Sequence, residues 1–137
     1  MGKRLALLAT LALGVALATA WPRLNTVETG RTPEYPELRP QELAAGPEQV
    51  RAAVKALLGH LPGWSYVGEG SGPAGMAIQA AHTGLFRLRE DVTVTIRRER
   101  GRSVVQIRSR SRLVPWDLGQ NARNIRAFQA ALEGELR

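Results

Sequence analysis

The sequence predicts an α+β domain. Its sheet is a four-stranded antiparallel meander with an N-terminal and a C-terminal helix on one face, in the order α-β-β-β-β-α. Three observations predict it. Apolar residues recur at helical spacing over 47–60, alternate with period two over Val92–Ile96 and Val104–Leu113, and return to helical spacing over 117–132. At 137 residues the chain has room for one domain and a short appendage. Residues 1–20 form a signal peptide or uncleaved membrane anchor, 21–46 a Pro-rich extended arm, and 47–137 the α+β domain.

Lys3 and Arg4 precede an uncharged apolar run, Leu5 to Ala20, and Ala18-Thr19-Ala20 fits the small-x-small pattern before a signal-peptidase cut. Cleavage there makes Trp21 the first mature residue. The run is about 16 residues, short of the ~20 of a spanning helix. Retention as a tilted anchor, with Trp21 at the outer interface, is the alternative. Both expect export, to a periplasmic or extracytoplasmic place or to the inner membrane, so the membrane is a partner at the N-terminus. A buried globular helix fits less well, because the run has no polar face.

Pro22, Pro33, Pro36, Pro40 and Pro47 leave residues 21–46 no sustained periodicity. Tyr35 and Leu38 either dock along the domain or belong to a free linker. Pro47 suits a first helical position and Glu48 the first turn; Val50, Val54, Leu57, Leu58 and Leu61 make the apolar stripe, and Leu61-Pro62-Gly63 stops the helix. Trp64–Val67, a Gly-rich turn and Met76–Thr83 follow as strands. Arg100-Gly101-Arg102 joins the two alternating strands as a hairpin. Pro115-Trp116-Asp117 ends the last strand, Asp117 is the N-cap, and Leu118, Ala122, Ile125, Phe128 and Leu132 stripe the final helix.

In the last strand Val105, Ile107 and Leu113 face the core, and Ser109 and Ser111 share their side. Gln106, Arg108, Arg110 and Arg112 then line the opposite face with Thr93, Thr95 and Arg97. Two arrangements fit this arginine row. Its guanidinium forks converge on an anionic ligand, or they pair internally with Glu90, Asp91, Glu99 and Asp117.

The formal charge is +7, and twelve basic against six acidic groups fall in residues 82–137, which favours an anionic neighbour. The absence of cysteine excludes disulfides, thiolate catalysis and sulfur-ligated metals. "GSGPAG", Gly70–Gly75, matches G-x-G-x-x-G, but no crossover helix follows, so it reads as a hairpin turn. His60 and His82 lack metal-ligand spacing, and no nucleophile elbow occurs. No metal and no cofactor is expected. "RSRSR" lacks the interleaved aromatics of a nucleic-acid face, so no nucleic acid is expected either.

"LREDVTVTIR…VVQIRSRSRLVPWDLGQNARNIRAF" resembles the bacterial family known as domain of unknown function 1499. Glu90-Asp91-Val92 matches its acidic-Asp-hydrophobic strand; Arg108, Ser109, Ser111 and Arg112 match its R-S-x-S-R, with Arg110 at the free position. Asp117, Gly119, Asn121, Ala122, Ile125 and Arg126 match its D-x-G-x-N-A-x-x-I-R, and Pro33–Pro40 resembles its arm. The chain departs from the pattern at Val114-Pro115-Trp116, where the family has glycine soon after R-S-x-S-R. The resemblance implies an envelope association and no activity. It also groups Asp91, Ser109, Ser111, Asp117, Asn121 and Arg126 at the strand-to-helix junction, as a structural lock or a pocket.

The expectation is an uncharacterised bacterial cell-envelope protein. It is a non-enzymatic module binding an anionic ligand or envelope protein through Arg108, Arg110 and Arg112. The alternatives are a small hydrolase- or cyclase-like enzyme using Asp91, Asp117 and Arg112, and a structural envelope scaffold.

Overall fold

A computed structural model describes residues 2–137. It contains α1 (Gly2–Ala20), β1 (Thr26–Glu28), β2 (Gln41–Leu43), α2 (Pro47–His60), β3 (Trp64–Gly72), β4 (Gly75–Thr83), β5 (Arg89–Glu99), β6 (Arg102–Ser111) and α3 (Gln120–Glu135). The domain is α+β with one antiparallel sheet, as expected. The sheet has six strands rather than four. β3 to β6 form the meander, and the arm adds β1 and β2, both paired to the free edge of β6. Those three-residue strands are too short for alternation to announce them, and they satisfy backbone groups that an edge strand would leave open.

Between β1 and β2 the chain makes a compact loop closed by the Gly30 N–H donating to the Leu38 carbonyl at 2.7 Å. Leu38 is buried and Tyr35 packs against the core, so both dock.

α2 occupies 47–60 with Pro47 in its first turn. It buries Val50, Val54, Leu57 and Leu58 against Ile78, Val94 and Ile96 of the sheet; α3 adds Ala122, Ile125, Phe128 and Leu132 beside them. Both helices lie on one sheet face.

Two turns demand glycine. Gly75 sits at φ +118°, and a Cβ there would lie 2.3 Å from the Ile96 carbonyl oxygen. It closes the β3–β4 hairpin, so "GSGPAG" is the turn expected. Arg100 (φ 51°) and Gly101 (φ 76°) form the tight β5–β6 turn, whose twist matches the strands only with positive φ at both positions.

Three expectations are corrected. β6 ends at Ser111, so Leu113 lies outside the sheet, 83% exposed. α3 begins at Gln120, and Leu118 is a left-handed loop residue (φ 51°), 41% exposed, not part of the stripe. Gly119 takes the N-cap position, although Asp117 still caps: its Oδ1 accepts the Gly119 N–H (2.8 Å) and its Oδ2 the Asn121 N–H (3.1 Å).

Residues 2–20 form one helix whose leucines at 5, 7, 8, 11 and 13 are 62–68% exposed. Among the described residues no helix is long and apolar enough to cross a membrane. Trp21 packs on Gly119, where a Cβ would lie 2.5 Å from the indole.

Candidate functional site

Strand parity separates two sites on opposite faces of the sheet. On the open face, β6 presents Gln106, Arg108 and Arg110, with Arg112 just beyond the strand end. Arg108 lies across from Thr93 and Glu28, and Arg110 across from Asp91 and Thr26.

Arg112 is engaged. Its Nε donates to both Asp91 carboxylate oxygens (2.9 and 2.8 Å), and its Nη2 sits 2.7 Å from Oδ1. That hydrogen bonding, with the charges of Arg112, Arg89 and Arg110, holds the Asp91 carboxyl below its usual value, and Asp91 raises Arg112 in return. Both side chains are nearly half exposed, so solvent screening limits the pair to ~1 kcal/mol or less.

Arg108 and Arg110 are exposed, and among the described residues neither has an ion-pair or side-chain hydrogen-bond partner. Farther along the face Arg97 is occupied by Glu99 and Gln106, and Gln106 by Glu28. The row therefore divides: Arg112 and Arg97 pair internally, Arg108 and Arg110 do not.

The second site is the strand-to-helix junction on the helix face. Asn121 is its centre. Its Nδ2 donates toward the Asn25 carbonyl (2.8 Å), Ser111 Oγ (3.0 Å) and Asp117 Oδ2 (2.7 Å), while its Oδ1 accepts from Ser109 Oγ (2.7 Å). Two amide hydrogens thus serve three acceptors. Ser109, Ser111, Asp117 and Asn121 are all buried. Mutual saturation of these groups is the signature of a lock: it ties β6, the start of α3 and the arm at Asn25 together.

Two residues grouped with this cluster on sequence lie elsewhere. Asp91 is on the open face, so it makes no carboxylate pair with the buried Asp117. Arg126 is an arm clamp, pairing with Glu37 and lying over the Tyr35 ring at 5.5 Å.

The sequence reading missed the floor of a cavity beside the lock. A partly open space of about 210 Å³ is lined by Phe86, Leu88, Val114, Trp116 and Leu118 above Glu90, Ser111 and Asp117. Glu90 is 2% exposed, and among the described residues its carboxylate meets only His82 Nδ1, at 3.4 Å. The Trp116 indole N–H is buried, with no acceptor among the described residues. Glu90 shares its parity with Val92 and is opposite Ser111, so a glutamate on the apolar side of β5 was the available signal.

Another cavity, about 590 Å³, lies under the arm loop. It mixes Arg31, Arg39 and Arg97 with Glu42 and Glu99, so its charge does not select an anion. Among the described residues no group of three or more His, Asp or Glu side chains could hold a metal ion.

A family model described as "Protein of unknown function (DUF1499)" matches residues 16–132. The chain belongs to this family. No curated protein and no solved structure matches it. The DUF1499 match takes in the arm, the whole sheet and most of α3, and so includes both faces just described.

Proposed function

We propose that this DUF1499 chain is an exported cell-envelope protein that binds an anionic partner on the open face of its sheet. Arg108 and Arg110 are the ligating residues. The single observation that carries this reading is that these guanidiniums stand exposed and unpaired, while the neighbouring Arg112 and Arg97 are already engaged. Unpaired, adjacent guanidinium forks suit phosphate, sulfate or carboxylate groups, which they bind bidentately. The basic, apolar and small-residue zones of residues 1–20 support export. A binding role is favoured over catalysis because Asp91 is spent on Arg112 and Asp117 is saturated by backbone and Asn121 donors.

Thermal shift on the full chain tests it, with inorganic phosphate, glycerol phosphate and a sulfated oligosaccharide as probes. At least one probe is expected to stabilise the wild type and Arg112→Ala, and to lose most of its effect on the Arg108→Ala/Arg110→Ala double variant. The reading fails if no probe stabilises the wild type, or if the double variant responds equally.

A further inference from the structure

Two loops build the end of the domain where the chain arrives from α1: residues 84–88 between β4 and β5, and residues 112–119 between β6 and α3. They carry Phe86 at 92% exposure, Leu113 at 83%, Leu118 at 41% and Leu88 at 36%. Among the described residues outside α1, Phe86 and Leu113 are the most exposed large apolar side chains. Such a concentration on one end is a feature of surfaces that meet an apolar partner.

Backbone conformation supplies an independent observation. Among the described residues four non-glycine residues have positive φ, and Arg100 is accounted for by the hairpin turn. The other three, Phe86 (φ 57°), Arg87 (φ 56°) and Leu118 (φ 51°), all lie in these two loops. Left-handed backbone is unfavourable for leucine and phenylalanine, and here it is maintained while those side chains face solvent.

The charge around the loops is one-sided. Arg87 and Arg89 belong to the first loop and the strand it enters. Arg110 lies near the end of β6 and Arg112 just beyond it, and Arg23 lies over the Trp116 ring at 5.4 Å. Of the acids at this end, Glu90 and Asp117 are buried and Asp91 is occupied by Arg112. Finally, Trp21 is seated on Gly119 in the second loop, so residues 1–20 lead away from this same end.

We infer that this end docks on an anionic lipid bilayer. Phe86, Leu88, Leu113 and Leu118 enter the boundary between headgroups and acyl chains, and Arg23, Arg87 and Arg89 meet the phosphates. Apolar insertion ringed by arginine is the composition that binds anionic bilayers. The β3–β4 and β5–β6 turns, at the opposite end of the strands, then point away from the bilayer. This surface does not depend on Arg108 or on any soluble anion, so it stands or falls apart from the open-face reading.

The chain has no cysteine, so single labels can be placed cleanly. Full-length Phe86→Cys, Leu113→Cys and Ser71→Cys, the last at the distal turn, are labelled with an environment-sensitive fluorophore. Each is mixed with vesicles of phosphatidylcholine alone or with phosphatidylglycerol. The expected result is a blue shift and several-fold protection from an aqueous quencher at 86 and 113, larger with phosphatidylglycerol, and none at 71. Two positions guard against one label disturbing its loop. Quenching at 86 and 113 equal to that at 71, or protection indifferent to lipid charge, would overturn the inference.

Discussion

Replacing Asn121 by alanine is expected to be the most damaging polar-to-alanine change in the domain, and the structure gives the size of the effect. The substitution removes an amide that donates toward Asn25, Ser111 and Asp117 and accepts from Ser109. Not all partners are orphaned. The Asn25 carbonyl keeps the Ser111 N–H, and Asp117 keeps the N–H groups of Gly119 and residue 121. The buried Ser109 hydroxyl loses its acceptor, although its Oγ still accepts from Asn124 Nδ2 at 3.4 Å, and Ser111 Oγ loses its donor. One buried O–H left without its acceptor and one buried hydroxyl oxygen left without its donor, at ~1–2 kcal/mol each, give a loss of ~3 kcal/mol. For a domain of this size that is a drop in Tm of ~10–15 °C. Urea unfolding followed by tryptophan fluorescence reads it as a lower midpoint at unchanged slope. A loss below ~1 kcal/mol would refute the lock, because it would mean the junction is held by packing alone.

Arg112→Ala is expected to cost under ~1 kcal/mol in the same assay, since its pair with Asp91 is nearly half exposed. Gly75→Ala is expected to cost ~3 kcal/mol or more, because a methyl at φ +118° meets the Ile96 carbonyl; urea midpoints give the loss. Leu113→Ser is expected to change stability by less than ~0.5 kcal/mol, as a residue 83% exposed has little to lose. Hydrogen bonds from Arg51 and Lys55 hold Glu69 down to about 2 from an ordinary 4.5. Its folded value lies below its unfolded one, so its contribution is full above pH 4.5 and fades as pH falls toward 2. The stability gap between wild type and Glu69→Gln should therefore shrink between neutral and acidic buffer; a constant gap counts against the pairing.

The features legible in sequence were those with sustained periodicity. α2 matches residue for residue because Pro47 and Leu61-Pro62-Gly63 bracket one unbroken stripe. The alternation of β6 placed Val105, Ile107, Ser109 and Ser111 on one side, as found. Parity failed where the strand stopped: the Ser111 N–H bonds to Asn25 and the Arg112 N–H to Arg89, after which the chain leaves the sheet and Leu113 no longer faces the core. β1 and β2 were invisible because tertiary pairing with β6, not local pattern, makes them strands. Glu90 was set among the partners of the arginine row and Trp116 at a strand end; instead Glu90 is buried against His82 on the other face, because burial of a polar group follows from packing across elements.

The pairing of β1 with β6 joins Thr26 to Arg110, residues 84 positions apart. Contacts that distant close slowly, because a long loop must be ordered before any bond rewards it. β1 has no partner until the last strand, β6, has been made. During synthesis the arm therefore waits, and it joins the sheet only when the C-terminal third arrives to receive it.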